Sequence, residues 1–217
     1  MGNSGILTGM YETMLDSLGP SQWWPGDTPY EIAIGAILTQ NTNWKNVEKA
    51  IANLKEADIL SPEKMFFLPA QDLAELIRPA GYYNIKTKRI KNFLQFLKDE
   101  VDFTLESLKA QQLHELRPKM LAVHGIGPET ADSILLYALD YPTFVVDAYT
   151  LRMMSRHGLA YEDIDYHSLQ ALFMDALPDD VAVYNEYHAL IVRIGKDWCK
   201  KKAGLCDSCP LKSFLDS

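Results

Sequence analysis

The segment KMLAVHGIGPETADSILLYALDYPTFVVDAYTLRMMSRHG, from residue 119 to residue 158, holds the residues of this chain best suited to chemistry. Two glycines in Gly125-Ile126-Gly127 allow a very tight turn between helices while the aliphatic side chain enters the core. A helix then opens at Pro128, and the N–H groups and positive dipole of its first turn suit a phosphate. We therefore expect a helical hairpin that can hold an anion.

A single aspartate follows this hairpin at the junction of two patterns. Residues 141–146 (YPTFVV) are extended and apolar by pattern, and Ala148–His157 has helical spacing before Gly158. Asp147 lies between them and is placed as an N-cap, a role worth about 1 kcal/mol. Taken alone, the pattern predicts a structural aspartate.

Three cysteines, Cys199, Cys206 and Cys209, all lie within the last 19 residues. The count is odd, and a reducing compartment would keep these side chains as thiols or metal ligands.

Composition places the chain among ordinary globular proteins, since 47% of its 217 residues are hydrophobic and 23% are charged. The net charge of −8 argues against a nucleic-acid partner, but the charges are segregated. Five basic residues and no acidic one lie in 83–98, and seven carboxylates without a basic residue lie in 158–186. No apolar run is long enough to span a membrane, and the first 15 residues show no basic stretch followed by an apolar one, so we expect a cytoplasmic protein. A monomer is the default expectation.

Helix signals dominate the sequence. Thr28-Pro29-Tyr30-Glu31 and Ser61-Pro62-Glu63 are helix starts, and Ile85–Leu97, Leu169–Leu177 and Val181–Trp198 have helical spacing. Short helices should end before Pro118, and the hairpin should follow Lys119. The sequence predicts an all-α protein of about ten short helices.

Three motifs together resemble the helix-hairpin-helix DNA glycosylases of the endonuclease III superfamily. They are the hairpin GIGPETAD followed by VVDAYTLRMMSR, the helix end LTQNT at 38–42, and the cysteine spacing of the tail. The resemblance implies an all-α, two-lobed helix-hairpin-helix glycosylase fold with a DNA-binding cleft between the lobes. Residues 28–135 would form a six-helix lobe with the hairpin at 119–135. Residues 1–27 and 136–217 would form the second lobe, with a degenerate cysteine tail at 199–215.

The same resemblance assigns roles to residues. Asp147 becomes the catalytic carboxylate, and double-stranded DNA containing a damaged base becomes the partner. The residues expected to contact DNA are Gln40, Asn41, Lys86, Lys88, Gly125, Ile126, Gly127, Glu129 and Thr130. Gln40 and Asn41 are candidates to fill the space that a flipped base leaves.

One departure from the family concerns mechanism. In members that also cut the strand, a lysine on the helix after the hairpin forms a Schiff base with the sugar. Glu129 occupies the matching position, and a carboxylate cannot form an imine. The resemblance therefore implies a monofunctional glycosylase, with Lys86 or Lys88 as the alternative source of an amine.

Aromatic residues suggest the substrate. Trp23, Trp24 and Trp44 are the candidates to line the pocket of the flipped base. Together with the hairpin GIGPETAD, the segments WWP at 23–25 and QNTNW at 40–44 resemble bacterial 3-methyladenine DNA glycosylases built on the endonuclease III plan. An alkylated purine carries a positive charge that stacks well on an aromatic ring. The alternatives are a glycosylase for mismatched or deaminated adenine, thymine or uracil, a non-catalytic helix-hairpin-helix DNA-binding protein, and a helical protein-interaction domain.

Cofactors are not required for the expected chemistry. A four-iron cluster in this family needs a fourth thiolate six residues after the third, and Leu215 stands there. Either the iron–sulfur site is lost, or three cysteines hold a more labile group with an outside ligand such as Asp216. The resemblance also implies a monovalent cation at the backbone carbonyls of Leu121, Val123 and Ile126.

Overall fold

The computed structural model describes residues 3–21 and 26–215. Within these ranges the secondary structure is helical, and the single β-bridge joins Cys199 and Gly204, so the all-α prediction is confirmed. No helix of the described ranges is both long and apolar enough to cross a membrane. In chain order the α-helices are α1 (Asn3–Leu18), α2 (Pro29–Leu38), α3 (Trp44–Glu56), α4 (Pro62–Phe67), α5 (Ala70–Leu76), α6 (Tyr83–Val101), α7 (Leu113–Leu121), α8 (Pro128–Ser133), α9 (Ala148–Arg156), α10 (Tyr166–Met174) and α11 (Val181–Asp197).

Short helical turns of other types join these helices. Arg78–Ala80, Leu105–Ala110, Cys206–Ser208 and Lys212–Phe214 are 3-10 turns, and α8 continues directly into a π-helical turn, Ile134–Ala138. The hairpin is therefore followed by a helical stretch that is longer than α8 alone.

The chain divides into two units. One comprises Trp24–Tyr141 and is called the hairpin unit below, and the other, the aspartate unit, combines Met1–Trp23 with Pro142–Ser217. The lobe expected from the sequence covers 28–135, and the hairpin unit extends beyond it to Tyr141. The phenol of Tyr141 donates to the carbonyls of Leu108 and Gln111 at 2.8 and 2.7 Å, which holds this residue to the hairpin unit.

Local sequence signals set the predicted helix starts. The side chain of Thr28 accepts from the backbone N–H of Glu31 at 3.1 Å, and Ser61 caps α4 in the same way. In both helices a proline occupies the first turn, where its missing N–H costs no hydrogen bond. Both predicted starts are confirmed.

Two expectations about helix limits are wrong. The described part of the hairpin unit contains seven α-helices rather than six, because the turn at Pro69 separates α4 from α5. Helix α7 begins at Leu113 and runs through Pro118 instead of ending before it. Pro118 lacks the N–H that would bond to the carbonyl of His114, and α7 continues despite the loss of that bond.

Helix α2 is the buried centre of the hairpin unit. It packs against α3, α6, α8 and the π-helical turn, and Ile34, Ile37 and Leu38 are fully buried. A helix that is apolar on all sides belongs in a core. The carboxyl end of α2 is therefore fixed by packing. Residues 40–42, called the QNT segment below, follow this end.

The aspartate unit is built around α11, which packs against α1 and α9. The rings of Phe144 and Phe173 stack with centroids 4.3 Å apart, and Tyr184 and Tyr187 meet Phe144 edge-on. This aromatic cluster buries the extended segment that leads to Asp147, so the aspartate emerges from a rigid part of the core.

Candidate active site and nucleic-acid interface

The hairpin has the tight geometry that its glycines predict. Gly125 has φ +96°, and a Cβ at this position would lie 2.4 Å from Cγ of Arg89. Ile126 is buried, and its N–H donates to the carbonyl of Val123 at 3.0 Å. Position 125 therefore requires glycine both for its backbone conformation and for the close approach of α6.

An ion pair between α7 and α8 connects the two helices of the hairpin. Arg117 on α7 donates from Nε and Nη2 to the carboxylate oxygens of Asp132 at 2.7 and 2.8 Å. Asp132 follows α8's first turn and its side chain is fully buried, whereas Arg117 is partly exposed. A bidentate pair fixes both the distance and the direction between its partners. It holds the two hairpin helices in register.

Gln40 is engaged with the hairpin. Its amide nitrogen donates to the carbonyl of Gly125 at 3.2 Å and to Oγ1 of Thr130 at 2.8 Å, and its amide oxygen accepts from Arg89. Asn41, next in the chain, is exposed and has φ 55°. The QNT segment and the hairpin therefore form one connected surface within the hairpin unit.

The residues expected to contact DNA differ in their accessibility. Gly127, Glu129 and Lys88 are exposed, in agreement with a surface role. The side chains of Thr130 and Ile126 are buried, and for Ile126 this agrees with the expectation that it enters the core at the tight turn. Their contribution to an interface is limited to backbone atoms and to the shape of the turn.

The expectation that Lys86 contacts DNA is wrong, because the residue is only 1% exposed. Its ammonium group donates to the carbonyls of Leu38 and Ala80, both at 2.7 Å. Burial lowers the pKa of Lys86 to about 8, and the neighbouring Arg89 adds to the shift. Sequence alone placed this lysine in a solvated basic run, but it binds the carboxyl ends of two helical segments instead.

The extended segment before Asp147 is anchored by α10. The side-chain amide of Gln170 donates to the carbonyl of Phe144 at 2.6 Å and to Oγ1 of Thr143 at 3.2 Å. These bonds satisfy polar groups inside the core. They fix the backbone that delivers Asp147 to the start of α9.

Asp147 forms a capping box with Thr150. Its Oδ1 accepts from the N–H groups of Tyr149 and Thr150 and from Oγ1 of Thr150, at 2.9, 2.8 and 3.0 Å. Its Oδ2 lies 3.7 Å from Nε2 of His188 on α11, and the aspartate side chain is 14% exposed. Burial raises the pKa of Asp147, but His188 and the donors of Thr150 outweigh it and bring the pKa below its usual value. Asp147 is therefore an anion at neutral pH.

Close packing of α9 on α11 holds this arrangement. A Cβ at Gly195 would lie 2.3 Å from the ring of Tyr149. Arg152 lies over the same ring at 5.0 Å and donates through Nε to the carbonyl of Cys199 at 2.7 Å. The first two turns of α9 are thus held at a fixed distance from the helix that carries His188.

The aromatic candidates are only partly described. Trp23 and Trp24 lie outside the described residues. Trp44 begins α3 and is half-buried, and a Cβ on Gly35 would lie 3.5 Å from its six-membered ring. This ring therefore rests on α2 near the QNT segment, in the hairpin unit.

The cysteine tail does not fit a four-thiolate cluster. Cys199, Cys206 and Cys209 line one cavity, and Leu215 lines it at the position of a fourth ligand. Arg156 donates to Sγ of Cys199 at 3.1 Å. Among the described residues, no three His, Cys, Asp or Glu side chains are grouped to hold a metal ion. The donor set is one thiolate short of the four that such a cluster takes.

The sequence analysis did not single out His188, Arg89 or Tyr82. His188 is a polar residue on the buried face of α11. A buried polar side chain needs a polar partner, but the sequence does not identify that partner. Arg89 belongs to a basic run whose members could not be told apart. Tyr82 is 68% exposed with φ 47°, an unusual backbone conformation for an aromatic residue.

Comparison with known proteins agrees with this geometry. Residues 34–179 match the family described as HhH-GPD superfamily base excision DNA repair protein. The chain is 51% identical over 206 residues to "Putative DNA repair glycosylase MJ1434" of Methanocaldococcus jannaschii, covering 94% of this chain and 93% of that protein. The protein therefore belongs to the HhH-GPD superfamily of base excision DNA repair proteins.

Solved structures share the fold. The H. pylori 3-methyladenine DNA glycosylase MagIII, bound to 1,N6-ethenoadenine, has a TM-score of 0.74 and 30% identity, covering 90% of this chain and 98% of that one. A trapped endonuclease III–DNA covalent intermediate has a TM-score of 0.84 and 21% identity, covering 99% and 96%. The latter similarity shows the helix-hairpin-helix glycosylase fold.

The contact between Gly125 and Arg89 gives a prediction for stability. Gly125→Ala should lower the free energy of unfolding in urea by about 2 kcal/mol or more, because it combines a positive φ with a steric clash. In an Arg89→Ala background the clash is removed, and the same substitution should cost only about 1 kcal/mol. Equal costs in the two backgrounds would show that Arg89 does not constrain the hairpin.

Proposed function

We propose that this protein is a monofunctional DNA glycosylase that hydrolyses the N-glycosidic bond of a damaged base flipped out of double-stranded DNA. The favoured substrate is an alkylated purine such as 3-methyladenine. The observation that carries the proposal is Asp147, a helix-capping carboxylate with one oxygen bound to α9 and the other outside those bonds.

Asp147 supplies the chemistry that base hydrolysis needs. Breaking the bond between base and sugar leaves positive charge on the sugar, and a fixed carboxylate stabilises that charge. The same anion can orient the attacking water or remove its proton. Because Asp147 is held by backbone donors, little reorganisation is needed when the charge develops.

The route through a covalent amine is disfavoured by the residues present. Glu129 is exposed in the first turn of α8, where strand-cutting relatives carry the nucleophilic lysine. Lys86, one of the two alternative sources of an amine, is buried and donates to two carbonyls. Lys88 is exposed, so its amine is the one that an experiment has to eliminate.

DNA binding rests on the hairpin unit. The first turn of α8 presents N–H groups at the exposed Gly127, and such helix starts bind phosphate without reading the base sequence. Asn41 is exposed and Gln40 connects it to the hairpin, which supports a role for this segment beside a flipped nucleotide.

The proposed substrate class rests on charge and similarity. A purine methylated at a ring nitrogen is cationic, so it stacks favourably on indole rings and leaves the sugar readily. Trp44 is positioned near the QNT segment, and Trp23 and Trp24 are further candidates. The 30% identity to a 3-methyladenine glycosylase solved with a modified adenine supports this choice.

Cofactors are proposed to play no part in the reaction. Asp147 needs no metal to act as an anion, and the cysteine cavity lacks a fourth thiolate. A monovalent cation at the carbonyls of Leu121, Val123 and Ile126 remains a proposed structural aid to the hairpin.

Release of free bases from alkylated duplex DNA tests the substrate and the catalyst together. The wild type should release 3-methyladenine, identified by chromatography, and Asp147→Asn should slow release by about a thousandfold or more with DNA binding retained. Asparagine caps helices as well as aspartate does, so the loss should reflect the missing charge. Asp165→Asn is the matched control, since Asp165 caps α10 through the N–H groups of His167 and Ser168.

The outcomes separate the alternatives. Release of uracil, thymine or adenine from mismatches without release of methylated purines would contradict the substrate class. Unchanged properties of Asp147→Asn would contradict enzymatic function altogether and favour a DNA-binding module.

Borohydride trapping on a duplex with an abasic site tests the absence of a lyase. The wild type should give no covalent adduct, because position 129 carries a carboxylate, which cannot form an imine with the sugar. Glu129→Lys restores an amine at the family position and should produce one. A wild-type adduct that disappears in Lys88→Gln would show that a lysine route exists.

Replacement of all three cysteines by alanine tests the cofactor proposal. The purified wild type should lack the absorption near roughly 400 nm that iron–sulfur clusters give. The triple variant should release bases within about twofold of the wild-type rate, as expected for substitutions outside the site. A brown wild-type protein containing iron and sulfide would overturn the proposal.

A further inference from the structure

The two oxygens of Asp147 are not equivalent. Oδ1 accepts three hydrogen bonds from Tyr149 and Thr150, more than the two lone pairs of one oxygen readily accommodate. Within the described residues, no hydrogen bond from α9 is directed to Oδ2, which faces His188 across 3.7 Å. Only Oδ2 is therefore available to act on a substrate, and His188 is the side chain beside it.

His188 occupies an unusual place for an imidazole. It is 6% exposed on the buried face of α11, between Tyr184, Tyr187 and Ile191, which are all buried. Burying a polar ring costs free energy unless it finds a polar partner. Its Nε2 is aimed at the carboxylate of Asp147, so the buried site brings the imidazole to the proposed catalytic group.

The separation of 3.7 Å is longer than a hydrogen bond but short enough to close by a small side-chain rotation. Catalytic hydrogen bonds are often long in the free enzyme and shorten in the substrate complex. Both oxygens share one carboxyl carbon, and the start of α9 holds Oδ1. The side-chain rotation that closes this distance is therefore that of the His188 imidazole.

We propose that His188 is a positioning residue whose Nε2–H holds Oδ2 of Asp147 in the direction and charge state needed to stabilise the sugar cation. This inference rests on the proposed glycosylase function. His188 itself does not touch the DNA. It acts through the carboxylate, by restricting the rotation of Oδ2 and by keeping its negative charge.

The surrounding charges support this assignment. His188 contributes to the lowered pKa of Asp147, together with Thr150 and against the effect of burial. Four other ionisable side chains of α9 and α11 bond to partners away from Asp147. Arg152 donates to the carbonyls of Cys199 and Gly195, Glu186 accepts from Ser21, Tyr184 donates to Asp179, and Tyr187 donates to the carbonyl of Leu7.

Two substitutions at position 188 test the role. His188→Leu removes the donor and should slow single-turnover base release by about tenfold to a hundredfold. His188→Gln keeps an N–H at a similar reach and should restore the rate to within about fivefold of wild type. Affinity for a duplex with an abasic-site analogue should change less than about twofold in both variants. His157→Gln, a substitution at the half-buried histidine that ends α9, is the matched control and should behave as wild type.

The pH dependence supplies a readout that loss of packing alone would not move. Asp147 must be ionised, and removing His188 removes a contribution that lowers its pKa. The acid limb of the rate profile should therefore move to higher pH in His188→Leu. At pH values well above that limb, the remaining defect reports orientation alone.

The results separate this inference from the function on which it rests. A wild-type rate and pH profile in His188→Leu, with Asp147→Asn inactive, would overturn the role of His188 and leave the glycosylase intact. An active Asp147→Asn would overturn the proposed function itself. If His188→Leu does not fold, a His188→Gln protein that folds but is slower than wild type by more than about fiftyfold would overturn the donor role. An unchanged ¹⁵N resonance of His188 Nε2 in Asp147→Asn would do the same.

Discussion

The capping bonds of Asp147 connect the fold of the aspartate unit to its proposed chemistry. Three donors at the start of α9 take up one carboxylate oxygen, and the other oxygen lies outside these bonds. Stability and reactivity therefore share one side chain. A substitution that breaks the cap would both destabilise the start of α9 and change the orientation of the carboxylate. Only a substitution that keeps the cap and removes the charge therefore tests the chemical role separately.

In the hairpin unit, the proposed DNA-binding surface is supported by contacts on its buried side. Arg117 and Asp132 brace the two hairpin helices, while Gln40 joins the turn to the end of α2. Each link lies on the protein side of the surface and leaves Gly127 and Asn41 exposed. A surface that binds a phosphate backbone benefits from such support, because a preformed site loses less conformational entropy on binding.

Much of the fold could be predicted from the sequence because its signals are local. The caps at Thr28 and Ser61 are set by residues three positions apart, and the tight turn at Gly125 follows from glycine itself. Lys86 and His188 could not be placed in the same way. Whether a lysine in a basic run is solvated, or a histidine on an apolar face meets an aspartate, depends on helices distant in the chain. Such contacts have no local signature.

The buried ammonium group of Lys86 has a consequence for how α2 ends. Carbonyls at the carboxyl end of a helix carry partial negative charge and are commonly satisfied by water or by a dissolved cation. Here a covalently attached cation occupies that place, at 2.7 Å from the carbonyl of Leu38. It cannot exchange with solvent ions. The turn that follows α2 should therefore keep its conformation over a wide range of ionic strength. The same holds where binding to DNA displaces the counterions around the phosphates.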